Sequence, residues 1–113
     1  MIPSQMLKGT LEGCILKIIH SEETYGYEIS QKLQAYGFGD ISEGTIYPLL
    51  LRLSKADLVA PIYKDSNAGP KRKYFQITEK GKIELEIFER HWSEMENAVN
   101  HLFKGVNYEK ERT

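Results

Sequence analysis

A chain of 113 residues, 41% of them apolar, is long enough for one compact domain with an appended helix, and too apolar for wholesale disorder. No apolar run approaches the roughly 20 residues that a bilayer span requires, and a single cysteine, Cys14, excludes an intrachain disulfide framework. The formal net charge of −1 decides little, but the charges are unevenly placed: Lys64, Lys71, Arg72 and Lys73 cluster, while Glu79, Glu84, Glu86, Glu89, Glu94 and Glu96 spread over the later third.

The opening residues Met1 to Met6 carry no basic region ahead of an apolar core, so no secretory signal is expected. With Cys14 read as a buried thiol, a cytoplasmic setting follows. From Gln5 to His20, Leu7, Leu11, Ile15, Ile18 and Ile19 form the stripe of one amphipathic helix. Gly9 and Gly13 cost that helix about 1 kcal/mol each relative to alanine. Four residues apart, they are either a face where another helix approaches closely or two tolerated glycines. Ser21 to Thr24 reads as a turn. A second helix is expected from Tyr25 to Tyr36, capped by Thr24, with Ile29 and Leu33 inward. Gly37-Phe38-Gly39-Asp40 ends it, and Ile41 suits a very short extended segment.

The run Ile41 to Leu53, ISEGTIYPLLLRL, is the most informative. Ser42 is a good N-cap, and Ile46, Leu49, Leu50 and Leu53 recur at helical spacing. A rotation of about 100° per residue sends Gly44, Tyr47, Pro48, Leu51, Arg52 and Lys55 to the opposite side, with Thr45 at its margin. Both poor helix formers thus lie on the outward face, where Pro48 removes one backbone hydrogen bond and predicts a mild kink. Leu58 to Asp65 and Lys71 to Ile77 then read as two strands, joined by the turn-rich Ser66 to Pro70. Pro61 suits an edge strand. Thr78 caps a final helix to about residue 104, followed by a flexible tail over 105–113. Within that helix Leu85, Phe88, Trp92, Met95, Val99 and Leu102 alternate by three and four, a heptad seam that predicts a partner helix from a second copy. The alternative is a helix folded onto its own domain.

The fold class is therefore mainly α with a small β-hairpin (α+β): a winged helix-turn-helix over 1–77 and a dimerisation helix over 78–104. In such folds the third helix enters the DNA major groove and the wing approaches the backbone. Net charge near zero is no obstacle, because exposed charges are screened beyond about 8 Å and a local basic cluster still attracts phosphates. On this pattern Ser42, Gly44, Thr45, Tyr47, Arg52, Lys64, Lys71, Arg72 and Lys73 are the candidate DNA contacts. Arg52 either meets phosphate or pairs with Glu43 or Asp57, and Leu51 either touches a thymine methyl or packs beneath the wing. His20, His91 and His101 show no ligand spacing, and no phosphate-cradling loop or nucleophile elbow occurs, so no catalysis, metal or cofactor is expected.

The segments TYGYEI (Thr24 to Ile29), ISEGTIYPLLLRL, GPKRKYFQIT (Gly69 to Thr78) and the following EKG resemble the PadR family of bacterial transcriptional regulators. The likeness covers about Leu7 to Trp92, and the short remainder resembles the small subfamily with one C-terminal helix. It implies a homodimer joined through its first and last helices, on a roughly palindromic double-stranded operator that it usually represses. Tyr25, Gly44, Thr45 and Tyr47 match positions that meet DNA, Lys71 to Lys73 match the basic wing, and Phe75 replaces a frequent second tyrosine. Leu7, Leu11, Leu85, Phe88, Trp92, Met95, Val99 and Leu102 are the expected dimer contacts. In drug-binding relatives an aromatic at the position of Trp92 lines a cavity between subunits. A pocket of Met6, Gly9, Gly13 and Trp92 for a small planar aromatic or cationic effector is the corresponding expectation, with plain core packing of Trp92 as the other reading. The rival for the whole chain is a protein-binding winged helix.

Overall fold

The stripe from Gln5 to His20 does not make one helix. The computed structural model describes residues 1–66 and 69–112, with side chains through residue 105, and it places α1 at Ser4–Leu7 and α2 at Leu11–Ser21. Between them Gly9 adopts φ +91°, a left-handed conformation that glycine takes at little cost, and the Thr10 hydroxyl donates to the Leu7 carbonyl at 2.9 Å. Gly9 and Gly13 therefore share no helix face.

A second correction concerns Thr24. It is not the cap of α3 (Gly26–Ala35): Tyr25 holds that position and its side chain makes no capping bond. Thr24 is fully buried, and its backbone pairs with Phe75 in both directions, at 3.3 and 2.7 Å. Its hydroxyl donates to Glu28 Oε1 at 2.9 Å. The short extended element thus lies before α3, rather than at Ile41 before α4. A left-handed Gly37 closes α3, and the Phe38 amide reaches back to the Leu33 carbonyl at 3.0 Å.

Helix α4, Glu43–Lys55, forms as its apolar spacing requires. Ser42 Oγ accepts the Thr45 amide at 3.3 Å, and Ile46, Leu50 and Leu53 are buried. Burying three such side chains contributes about 5–9 kcal/mol. The penalties of Gly44 and Pro48 sum to about 4 kcal/mol at most, so the stripe wins. Asp57, at φ +66°, ends the helix, and the Leu58 amide bonds to the Leu53 carbonyl at 2.9 Å.

Strands β1 (Val59–Ser66) and β2 (Gly69–Ile77) form an antiparallel hairpin with Val59 opposite Ile77 and Lys64 opposite Arg72. The return strand starts at Gly69, two residues before Lys71; Asn67 and Ala68, within the expected turn, lie outside the described residues, as does Thr113. Helix α5 spans Glu79–Arg112. Thr78 caps it, its Oγ1 accepting the Gly81 amide at 2.9 Å. Gly81 passes so close to β1 that a Cβ there would overlap the Leu58 carbonyl oxygen. The helical backbone continues past the expected end at residue 104, because the stretch that follows contains no proline to break the ladder.

The core joins Ile15, Leu16 and Ile19 of α2 to Ile29, Leu33, Ile46 and Leu50, and is closed by Val59, Phe75 and Leu85. A helix of 34 residues is about 51 Å long, so α5 overruns this body and stretches the molecule to 66 × 28 × 20 Å.

Candidate nucleic-acid interface

Side chains distant in sequence meet in one row between α4 and the hairpin. Tyr47 leaves α4 on its outward side, 50% exposed, and lays its ring on Gly26 at the start of α3. A Cβ at position 26 would stand 2.9 Å from that ring's Cζ, so glycine lets the phenol approach this closely and a larger residue would push its tip outward. Next to Gly26, Tyr25 carries the Arg72 guanidinium 4.4 Å from its ring centroid. Tyr25 also meets Tyr74 edge to face, with centroids 5.0 Å apart and planes at 64°. Lys64 Nζ sits 4.8 Å from the Tyr74 ring and pairs with Glu23. Together these contacts join the hairpin to the start of α3.

Chemically, the row suits an anion. The first amides of α3 carry partial positive charge and receive no side-chain cap. Around them stand the phenols of Tyr25 and Tyr47 and the guanidinium of Arg72. Lys71 and Lys73 are exposed on the same strand, with Lys73 Nζ 5.5 Å from the Phe75 ring. Along α4, Ser42 and Thr45 expose hydroxyls 3.2 Å apart. Gly44 is exposed, and a Cβ there would meet only Ser42 Oγ, at 3.7 Å. Nothing inside the fold requires a glycine at that position.

Arg52 is not held by Glu43 or Asp57. Its Nε and Nη2 both lie 2.6 Å from Oε1 of Glu12 on α2. Donating a hydrogen bond to the Glu23 carboxylate raises the Lys64 ammonium above the ordinary lysine range; desolvation opposes this, and the charges of Glu23 and Tyr74 add to it. Glu12, Glu23, Gly26 and Tyr74 were not legible as site residues. Their partners stand far off in the chain, and only Tyr74, beside the basic triplet, carried any local signal.

The seam of α5 is divided. Leu85 is buried in the chain's own core, as are Leu7 and Leu11, while Phe88 is partly buried and covers Gly13 so closely that a Cβ there would overlap its ring, 2.4 Å from Cγ. Trp92, Met95, Val99 and Leu102 remain open, 46, 59, 40 and 65% exposed. Met6 and Gly9 are exposed as well. A half-open cavity of about 680 Å³ lies elsewhere, between the N-terminal segment, α2 and the start of α4; it touches Gly9 but not Met6, Gly13 or Trp92. Cys14 is partly buried, and burial pushes its thiol up, away from the reactive thiolate. Among the described residues no helix is long and apolar enough to cross a membrane.

Residues 15–87 match the model of the transcriptional regulator PadR-like family. A crystal structure of a PadR-like transcriptional regulator from Bacillus cereus is 56% identical, covers 88% of this chain and 96% of its own, and superposes with a TM-score of 0.80. An uncharacterized protein from Lysinibacillus sphaericus is 33% identical over 94% of this chain and 99% of its own length. Bacillus subtilis PadR in complex with operator DNA, at 23% identity and a TM-score of 0.65 over 71% of this chain and 46% of its own, shares the fold. With the match running from within α2 through the hairpin into α5, and the B. cereus likeness covering 88% of the chain, this chain belongs to the PadR-like family of transcriptional regulators.

Proposed function

We propose that this regulator acts as a homodimeric repressor on a palindromic operator. The observation that carries the reading is the row from Tyr47 over Gly26 and Tyr25 to Arg72, which ends in a wing with exposed Lys71 and Lys73. Phosphate seats at the uncapped start of α3, between the two phenols and the guanidinium. The exposed edge of α4, with Ser42, Gly44 and Thr45, approaches the bases. Phosphate contacts position the duplex and base contacts specify it. That B. subtilis PadR, which shares the fold, forms a complex with operator DNA supports DNA as the ligand.

Trp92, Met95, Val99 and Leu102 supply the seam between two copies. A continuous apolar stripe of that length on a soluble helix marks an interaction surface. Leu7, Leu11 and Leu85, already buried, support the seam from beneath. Two copies joined along α5 set their recognition helices about one DNA turn, roughly 10 base pairs, apart. A planar aromatic or cationic effector enters between the copies beside Trp92, with Met6 and Gly9 at its rim. It relieves repression only through differential affinity for the two spacings.

A mobility shift with the DNA upstream of the protein's own reading frame, at two salt concentrations, tests this reading. Salt-sensitive binding that persists over a scrambled competitor is the expected result. One observation favours a second reading, docking of a protein on α4: Leu51 is 53% exposed beside the outward Pro48. Absence of any salt-sensitive shift, with a partner captured through Leu51, would select that reading.

A further inference from the structure

Two of the cations flanking the interface are already occupied. Arg52 of α4 ends on Glu12, 40 residues away in sequence, and Lys64 of β1 ends on Glu23, 41 residues away. Both carboxylates belong to one stretch of chain, Glu12 in the first turn of α2 and Glu23 just after its end. Arg72, Lys71 and Lys73 have no carboxylate partner among the described residues. The fold gains little from either pair, since all four side chains are substantially exposed and exposed ion pairs contribute little to stability. A carboxylate beside a phosphate-binding surface repels its ligand, so each calls for a reason other than stability.

We propose that Glu12 and Glu23 are specificity-determining residues: each holds one interface cation off DNA phosphates and so limits sequence-independent binding. The assignment rests on the DNA-binding reading above. A duplex that lies loosely on the protein is held by phosphate contacts alone, and it recruits any cation free to reach one. A seated operator is held also by base-edge contacts from α4 and by the Tyr25–Arg72 row. There the two pairs stay closed, Glu12–Arg52 bracing α4 against α2 and Glu23–Lys64 bracing the wing against the turn before α3. The guards therefore weigh on random DNA more than on the operator.

The magnitude follows from counterion release. Each cation that neutralises a phosphate adds about 0.9 to the slope of log affinity against log salt, which amounts to about eightfold at 0.1 M salt. Replacing a guard by its neutral isostere frees one cation. The test titrates wild type, Glu12→Gln, Glu23→Gln and Arg52→Gln against two labelled duplexes, one from upstream of the protein's reading frame and one scrambled, over a salt series. Glu96→Gln, on α5 and holding no cation among the described residues, is the control. The two guard variants are expected to bind the scrambled duplex about three- to eightfold more tightly for each subunit engaged, with steeper slopes, and the upstream duplex within about twofold of wild type. Arg52→Gln opens the same pair without freeing a cation and leaves the Glu12 carboxylate unpaired, so it should gain nothing on scrambled DNA; a gain there would trace the effect to loosened packing and overturn the assignment. Unchanged scrambled-duplex binding by the guard variants overturns it, and so does an equal rise on both duplexes. Wild type that binds neither duplex removes the DNA-binding reading itself, an outcome distinct from wild type that binds while the guard variants match it.

Discussion

Gly44→Ala separates the demands of the fold from those of the ligand. Gly44 is the second residue of α4, at an ordinary helical φ, and an added Cβ would meet nothing nearer than Ser42 Oγ at 3.7 Å. For the free protein the substitution removes the entropic cost of glycine in a helix, about 0.5–1 kcal/mol. At a midpoint shift of about 4–8 °C per kcal/mol for a domain of this size, melting should move up by about 2–8 °C. For the DNA complex the sign reverses. A methyl group forced into a close-packed contact costs about 1–3 kcal/mol, or about 5- to 150-fold in affinity. Differential scanning fluorimetry on the free protein and anisotropy titration on the upstream duplex give the two numbers side by side. A raised midpoint with unchanged affinity would refute the reasoning, because α4 would then not bring this edge against DNA. A lowered midpoint would refute it from the other side, by showing that the fold itself needs the glycine.

Tyr47→Phe keeps the ring on Gly26 and removes only the hydroxyl; operator affinity should fall about tenfold, as for one hydrogen bond to a charged group, with the melting midpoint unmoved. Neutralising Arg72 and Lys73 together should weaken binding to operator and scrambled duplexes alike and flatten the salt slope by about two contacts, read from titrations at several salt concentrations. Gly81→Ala drives a methyl group into the Leu58 carbonyl and should cost about 1–3 kcal/mol, visible as a lowered midpoint in thermal melts of the free protein. Trp92→Ala should leave secondary structure intact by circular dichroism while shifting sedimentation towards the single chain, since this side chain is 46% exposed on the seam.

What the sequence showed, it showed through periodicity. The stripe Ile46, Leu50 and Leu53 needs only the helical repeat, so α4 and the sidedness of Gly44 and Tyr47 could be read directly. The hairpin and the caps Ser42 and Thr78 are equally local. The misreadings share a cause: each depended on a contact far along the chain. Thr24 has the chemistry of an N-cap, but Phe75, fifty-one positions later, captures its backbone into a strand pair. Gly9 is compatible with a helix, and it breaks one where the chain must turn before α2. Arg52 had two acids near it in sequence and chose Glu12 instead. Local spacing proposes partners within a turn or two, whereas an exposed guanidinium takes whichever carboxylate the packing of α2 against α4 delivers.

That choice also places α2 between the seam and the reading helix. Phe88 of α5 seats on Gly13, and the preceding residue, Glu12, holds Arg52 of α4. Close-packed contacts such as Phe88 on Gly13 do not deform continuously; they shift as units. In the proposed dimer, a change in the angle of α5, whether from closing the seam or from a ligand beside Trp92, would shift α2 through Phe88 and Gly13, and α2 would carry the Glu12 carboxylate with it. The recognition helix then feels the seam through one ion pair and the apolar core beneath it. On this account Glu12→Gln loosens two functions at once, discrimination against random DNA and the response of α4 to the seam. Glu23→Gln, which touches only the wing, loosens the first alone.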